Sequence, residues 1–173
     1  GLKAAAMGLP YLPTRTALGS DFSRAPHFIP IACPFTGEGL LAVRAIVPDA
    51  AILHVQRADS EGNAHLWGNL GVIREAALAA KRVILTCEEV VEHEVILSDP
   101  NRTLIPGFLV SHVVHARFGS HPSPTQGYAR RDDDFYFDYH KQSRGLDGFQ
   151  RWLHKWVLGV DDHSGYLDLL GKE

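Results

Sequence analysis

Cysteine is scarce in this chain of 173 residues: there are two, Cys33 in "PIACPF" and Cys87 in "VILTCEE", both among apolar neighbours. Two cysteines make no disulfide framework, so the expected setting is a reducing one, the cytoplasm. Long apolar runs are missing as well; none approaches the ~20 residues of a membrane-spanning helix, and no membrane role is expected. A surplus of one charge is also absent. With a formal net charge of −3 there is no electrostatic reason to expect nucleic acid or an anionic lipid surface as partner. The glycine pattern G-x-G-x-x-G, a Walker lysine, C-x-x-C and a helical H-x-x-x-H are all lacking. A nucleotide fingerprint and a zinc site are therefore not expected, despite ten histidines. His112 and His115 are three apart, a spacing that points them to opposite faces of a strand.

What is present is a globular composition, 45% hydrophobic and 21% charged, at a length that suggests one domain burying about 70% of its unfolded surface. The opening "GLKAAAMGLP" reads as the end of a helix, with Gly8 suited to the position after the cap and Pro10 blocking continuation. Such a helix needs something to pack on, and the expectation is the C-terminal portion of a longer subunit. "YLPTRTALGSD" reads as extended, and "FIPIACPFTGEGLLAV" as loop and edge strand, because proline and glycine punctuate it. "AAILHVQ", "RVILTCEEV" and "LVSHVVHAR" read as strands, and "NLGVIREAALAAK" as a helix. "EVVEHEVI" is ambiguous, while "RDDDFYFDYHKQSR" and "GFQRWLHKWVLGV" read as helices. Strands interleaved with helices predict an α/β fold: an open, mainly parallel sheet with helices on both faces. Ligands gather at the carboxyl ends of strands in such sheets, which draws attention to "HVQRAD".

The candidate residues have more than one reading. Glu38, between two glycines in "TGEG", is either a backbone-open general base or nucleophile, or a solvent-facing loop acid. Arg57 and Asp59 share a face if the strand continues, and can pair with each other or with loops of a neighbour. Asp59 also suits an Asx turn closed by Gly62 and Asn63. His121, in "GSHPSPTQGY", is either a hydrogen-bonding loop residue or part of a turn. The aromatics Phe135, Tyr136, Phe137 and Tyr139 read as core and interface packing.

Ordered blocks along the chain go further: "AAAMGLPYLPTR", "CPFTGEGLLAVRAIVPDAAILHVQRADSEGNAHLWG", "DPNRTLIPGFLV", "GSHPSPTQGYARRDDDFYFDY" and "GFQRWLHKWVLGV". In these the chain resembles family I CoA-transferases, and most of all the alpha subunit of the glutaconate CoA-transferase branch. The element A-D-x-x-G-N at 58–63 is shared across the wider family, whereas G-S-H-P-S-P-T-Q-G-Y is narrower.

The resemblance implies a Rossmann-related fold and an active site shared with a homologous beta-type partner, in an α2β2 arrangement. It implies that a glutamate on the partner attacks an acyl-CoA and becomes a glutamyl-CoA thioester, from which a carboxylic acid collects the CoA. Coenzyme A would then be part of the substrate, with no resident cofactor and no metal, and this chain would hold no catalytic nucleophile. Glu38, Arg57, Asp59, Asn63, His121 and Gln126 are the residues expected in the substrate pocket or at the interface. Some relatives with this fold resemble acyl-CoA ring-opening hydrolases, which need a positioned water and a base instead. A third reading is a non-catalytic scaffold half.

Overall fold

Apolar residues at alternate positions of 51–55 and 83–87 build the centre of the structure, a computed structural model that describes residues 1–172. The first of two compact units is Gly1–His115. It opens with α1 (Leu2–Ala6), β1 (Tyr11–Thr14), β2 (Phe28–Ala32) and β3 (Gly39–Arg44). There follow β4 (Ala51–Ala58), β5 (Ala64–His65), α2 (Ile73–Ala79), β6 (Val83–Val90), α3 (His93–Leu97), β7 (Thr103–Ile105) and β8 (Val110–His115).

Five of these strands form one sheet in the order β7-β5-β4-β6-β8. β4 pairs parallel with β6, and β6 with β8, where the sequence alternates strand and connection as expected. β5 and β7 are antiparallel additions, too short to carry a periodic signal. Val55, Leu85, Cys87 and Ile105 are fully buried, and Ala77 of α2 lies in the same cluster. Each such aliphatic side chain contributes about 1.5–3 kcal/mol of burial. The opposite side of β4 differs: Ile52 is 71% exposed. Beside it His54 Nε2 reaches Glu88 Oε1 at 2.9 Å, and Nδ1 lies 2.9 Å from Thr86 Oγ1.

A second sheet, wholly antiparallel in the order β1-β3-β2, takes β1 from the stretch expected to be extended and β2 and β3 from the stretch expected to be loop and edge strand. β2 and β3 form a paired hairpin, with Ile31 opposite Leu40 and Ala32 opposite Gly39. Pro13 and Pro30, which favoured extended and edge-strand backbone, both sit on its edge strands, β1 and β2. The ambiguous segment after β6 resolves as the short helix α3. At the start, Gly8 follows the helix cap with φ +69°, the role anticipated for it.

The second unit is Ala116–Glu173. It holds α4 (Asp133–Gln142), α5 (Leu146–Leu153), a π-helical turn over His154–Leu158 and α6 (His163–Leu170). Phe135 packs edge-on against Trp152 and Trp156, and Tyr139 against Trp152. Phe137, two residues from Phe135 and so across the helix, is 71% exposed. The core reading of the aromatic run therefore holds for one side of α4 only. No helix among the described residues is long and apolar enough to cross a membrane.

Candidate functional site

At the carboxyl end of β4 the chain turns sharply. The strand ends at Ala58, so Asp59 does not extend the face of Arg57 but curls into the turn that follows. Its backbone N–H donates to Asn63 O at 3.1 Å, and Gly62 N–H returns to Asp59 O at 3.1 Å. The Asp59 carboxylate is buried and accepts four hydrogen bonds. Oδ1 takes the Glu61 and Asn63 backbone N–H groups at 3.0 and 2.8 Å. Oδ2 takes Asn63 Nδ2 at 2.9 Å and His93 Nδ1 at 2.7 Å. Burial pushes this carboxyl up, but the bonds from His93, Asn63 and Glu61 outweigh it and hold Asp59 below its ordinary range.

The turn is clamped from the other side. Asn63 Oδ1 accepts Gly107 N–H at 2.9 Å. Gly62 has φ +89°, and a Cβ there would lie 2.6 Å from Val110 Cβ. A Cβ on Gly107 would run into the Glu61 carbonyl oxygen. Asn63 and the two glycines therefore serve one close approach between the 59–63 turn and the 107–110 segment.

Within its own sheet Arg57 pairs with Glu89, its register partner on β6, at Nε–Oε2 3.0 Å. Its guanidinium also stands 5.8 Å from the Trp67 ring centroid, and that of Arg102 4.9 Å from the same ring. The polar strand end and the tryptophan just beyond it thus belong to one cation–π and ion-pair group.

Glu38 is in the β2–β3 hairpin turn and makes a two-point ion pair with Arg15, at 2.5 and 2.6 Å. The Arg15 hydrogen bond holds its carboxyl below the ordinary range. That favours the surface-acid reading over a free general base. His121 and Gln126 belong to the second unit. The His121 side chain is buried, 2.6 Å from Tyr166 Oη through Nδ1 and 3.1 Å from Asp132 Oδ2 through Nε2. Asp132 in turn caps α4 by accepting Phe135 N–H at 2.9 Å. His121 is thus both a hydrogen-bonding residue and the pin of its turn. Gln126 is exposed in the turn between Thr125 and Ala129.

Of the six residues named from the sequence, then, the fold gathers Arg57, Asp59 and Asn63 at one strand end. It adds His93, Glu89 and Trp67, which sequence reasoning passed over. His93 lies in the segment whose secondary structure was ambiguous, and nothing in its spacing from Asp59 signals contact. Its imidazole is 47% exposed. The Asp59 hydrogen bond, opposed by partial burial and aided by the charges of Asp59, Glu61 and Glu94, raises its affinity for a proton.

The sequence and fold have relatives. The chain is 43% identical over 165 residues to the A-type subunit of the 3-oxoadipate CoA-transferase of Pseudomonas knackmussii, covering 94% of this chain and 57% of that protein. It is 36% identical over 185 residues to the A-type subunit of the glutaconate CoA-transferase of Acidaminococcus fermentans, covering 97% of this chain and 58% of the relative. The crystal structure of that glutaconate CoA-transferase superposes with a TM-score of 0.92 over 98% of this chain and 59% of the matched one. The cholesterol ring-cleaving hydrolase IpdA subunit of Mycobacterium tuberculosis is 30% identical, over 93% of this chain and 59% of its own length. The chain thus spans less than two thirds of each of these relatives. A model of the coenzyme A transferase family matches residues 1–116, the whole first unit and one residue beyond. On that match, with the fold agreeing, the chain belongs to the coenzyme A transferase family.

Proposed function

We propose that this chain is part of the A-type subunit of a CoA-transferase that works with a homologous second subunit. The observation that carries the reading is the correspondence of nearly the whole chain, both units included, to the A-type subunits of two such enzymes. Both relatives are named for dicarboxylic acids, so the proposed substrates are a dicarboxylic acid and its CoA ester. CoA enters as part of the substrate and no resident cofactor takes part.

The reaction needs a carboxylate nucleophile free to attack. At the strand ends, Asp59 accepts four hydrogen bonds, Glu88 is held by His54, and Glu89 is held by Arg57. Glu38 is held by Arg15. These engagements support placing the nucleophilic glutamate on the second subunit. There its oxygen attacks the thioester carbonyl and expels CoA thiolate, leaving a mixed anhydride. The thiolate attacks the glutamyl carbonyl, releases the first acid and forms an enzyme thioester, and the acceptor acid reverses both steps. The 57–63 and 107–110 segments give this exchange a rigid wall. The complex is proposed to be an α2β2 heterotetramer of the cytoplasm, a setting consistent with two free thiols.

The test is CoA exchange by the chain co-produced with its second subunit. Parallel double-reciprocal lines are expected, with borohydride-reduced glutamate found by mass spectrometry on the second subunit. Label on Glu38 would overturn the assignment, and light scattering of the complex checks the stoichiometry. Ring-opening hydrolysis of an acyl-CoA by added water is the second reading. The hydrolase relative and the Asp59–His93 pair favour it.

A further inference from the structure

His93 has a geometry that a structural contact alone does not require. A buried carboxylate only accepts hydrogen bonds, so Asp59 fixes the Nδ1–H tautomer of the imidazole. The second nitrogen, Nε2, has no partner among the described residues, and the ring is 47% exposed. A simple amide donor would close α3 onto the 59–63 turn equally well. The imidazole adds an outward-facing lone pair whose orientation Asp59 sets, in the arrangement by which a carboxylate orients a histidine base.

The location matters too. His93 stands just past the carboxyl end of β6, against the turn at the carboxyl end of the adjacent parallel strand β4. In open α/β sheets that is where ligands bind. The turn beneath it is locked by Asn63, Gly62 and Gly107. The charged groups facing His93 are acidic: Asp59 and Glu61 from the turn, Glu94 from its own helix. A negative surround disfavours binding of an anion by the imidazolium but stabilises the imidazolium once it has taken up a proton.

We propose that the Asp59–His93 pair is a general base that lets the complex hydrolyse CoA thioesters with water when no acceptor acid is bound. Nε2 takes a proton from water as the water oxygen bonds to the thioester carbonyl carbon. The carbon–sulfur bond breaks, and the departing thiolate takes the proton back from Nε2, giving a carboxylic acid and free CoA. The proposal rests on the CoA-ester reading of the site.

The experiment uses the co-produced complex, an acyl-CoA without acceptor acid, and a thiol reagent to follow CoA release across pH 5–9. His93→Asn keeps an amide donor for Asp59 and removes the second nitrogen; His93→Gln is the companion variant. Wild type should release CoA at a rate that rises with pH to a plateau. His93→Asn should lower the ratio of hydrolysis to exchange at least tenfold and abolish the pH limb, with the melting temperature unchanged at the alkaline end of the range. No CoA release by wild type, or variants that lose hydrolysis and exchange in equal proportion, would overturn the proposal. A complex with His93-dependent hydrolysis but no exchange would instead overturn the transferase reading and leave this one standing.

Discussion

Asn63 ties two distant segments together: its Oδ1 accepts Gly107 N–H at 2.9 Å while its Nδ2 donates to Asp59 Oδ2 at 2.9 Å. One side chain therefore fixes both the turn after β4 and the stretch that leads into β8. The rigidity of this strand end follows from that pair of bonds, and so do the consequences of disturbing it.

Three glycines separate backbone strain from crowding. Gly62→Ala combines φ +89° with a Cβ 2.6 Å from Val110 Cβ, and should cost roughly 2–4 kcal/mol. Gly107→Ala meets the Glu61 carbonyl without a positive φ, and should also destabilise, through a forced turn shift. Gly8→Ala has φ +69° but open space, so only the conformational cost of about 1 kcal/mol remains. Urea midpoints of the three variants should rank in that sense; a Gly62→Ala midpoint equal to that of Gly8→Ala would refute the clamp.

Linkage between Asp59 and His93 gives a pH signature. Asp59 is depressed in the fold, so its contribution is present above ~3.9 and fades as pH falls through its folded value. His93 is raised, so its contribution is complete below ~6.5 and fades as pH rises through its folded value. The destabilisation caused by His93→Ala should be greatest between about pH 4 and 6.5 and shrink towards pH 9. Chemical unfolding of both proteins across that range checks it, and a pH-independent difference would contradict the pairing. Asp59→Ala, which leaves four part-buried donors without their acceptor, should cost roughly 1–3 kcal/mol.

The two thiols should differ in reactivity. Burial pushes Cys87 up to about 11, and it lies fully enclosed in the core. Cys33, at the base of the β2–β3 turn, is only part-buried, and hydrogen bonds from Thr36 and the turn backbone favour its thiolate. Iodoacetamide at neutral pH should label Cys33 and spare Cys87 until the protein unfolds. Peptide mapping reads the result; equal labelling of both would mean the core strand opens easily.

In the second unit, His121 joins Tyr166 to the cap of α4. His121→Leu leaves the Tyr166 hydroxyl and one Asp132 oxygen without that partner and should cost roughly 2–4 kcal/mol. Tyr166→Phe removes only one of the two bonds and should cost about 1 kcal/mol. Thermal unfolding of the variants distinguishes this pin from a loop histidine held in place for ligand contact alone, whose loss would leave the melting temperature where it was.

Much of this protein was legible from local pattern. The strands β4 and β6 declare themselves because a buried strand must be apolar over several residues, β8 because of its run of valines at the sheet edge, and α2 because its apolar positions recur at helical spacing. Gly8 after α1 was readable because a cap depends on adjacent residues. The antiparallel hairpin β2–β3 was half hidden, since proline and glycine read there as loop and edge strand, and only the sheet order shows β2 at an edge and β3 in the centre. Chemistry at the strand end was hidden further. Asp59 and Asn63 announced a turn, but Arg57 facing Glu89, Gly107 meeting Asn63 and His93 meeting Asp59 are contacts between segments 32–44 residues apart. Sequence determines which side chains are able to donate, accept or pack within a turn or two of chain. Which distant partner each one meets is decided by strand register and close backbone approach, because those depend on the whole sheet and not on any local stretch of it.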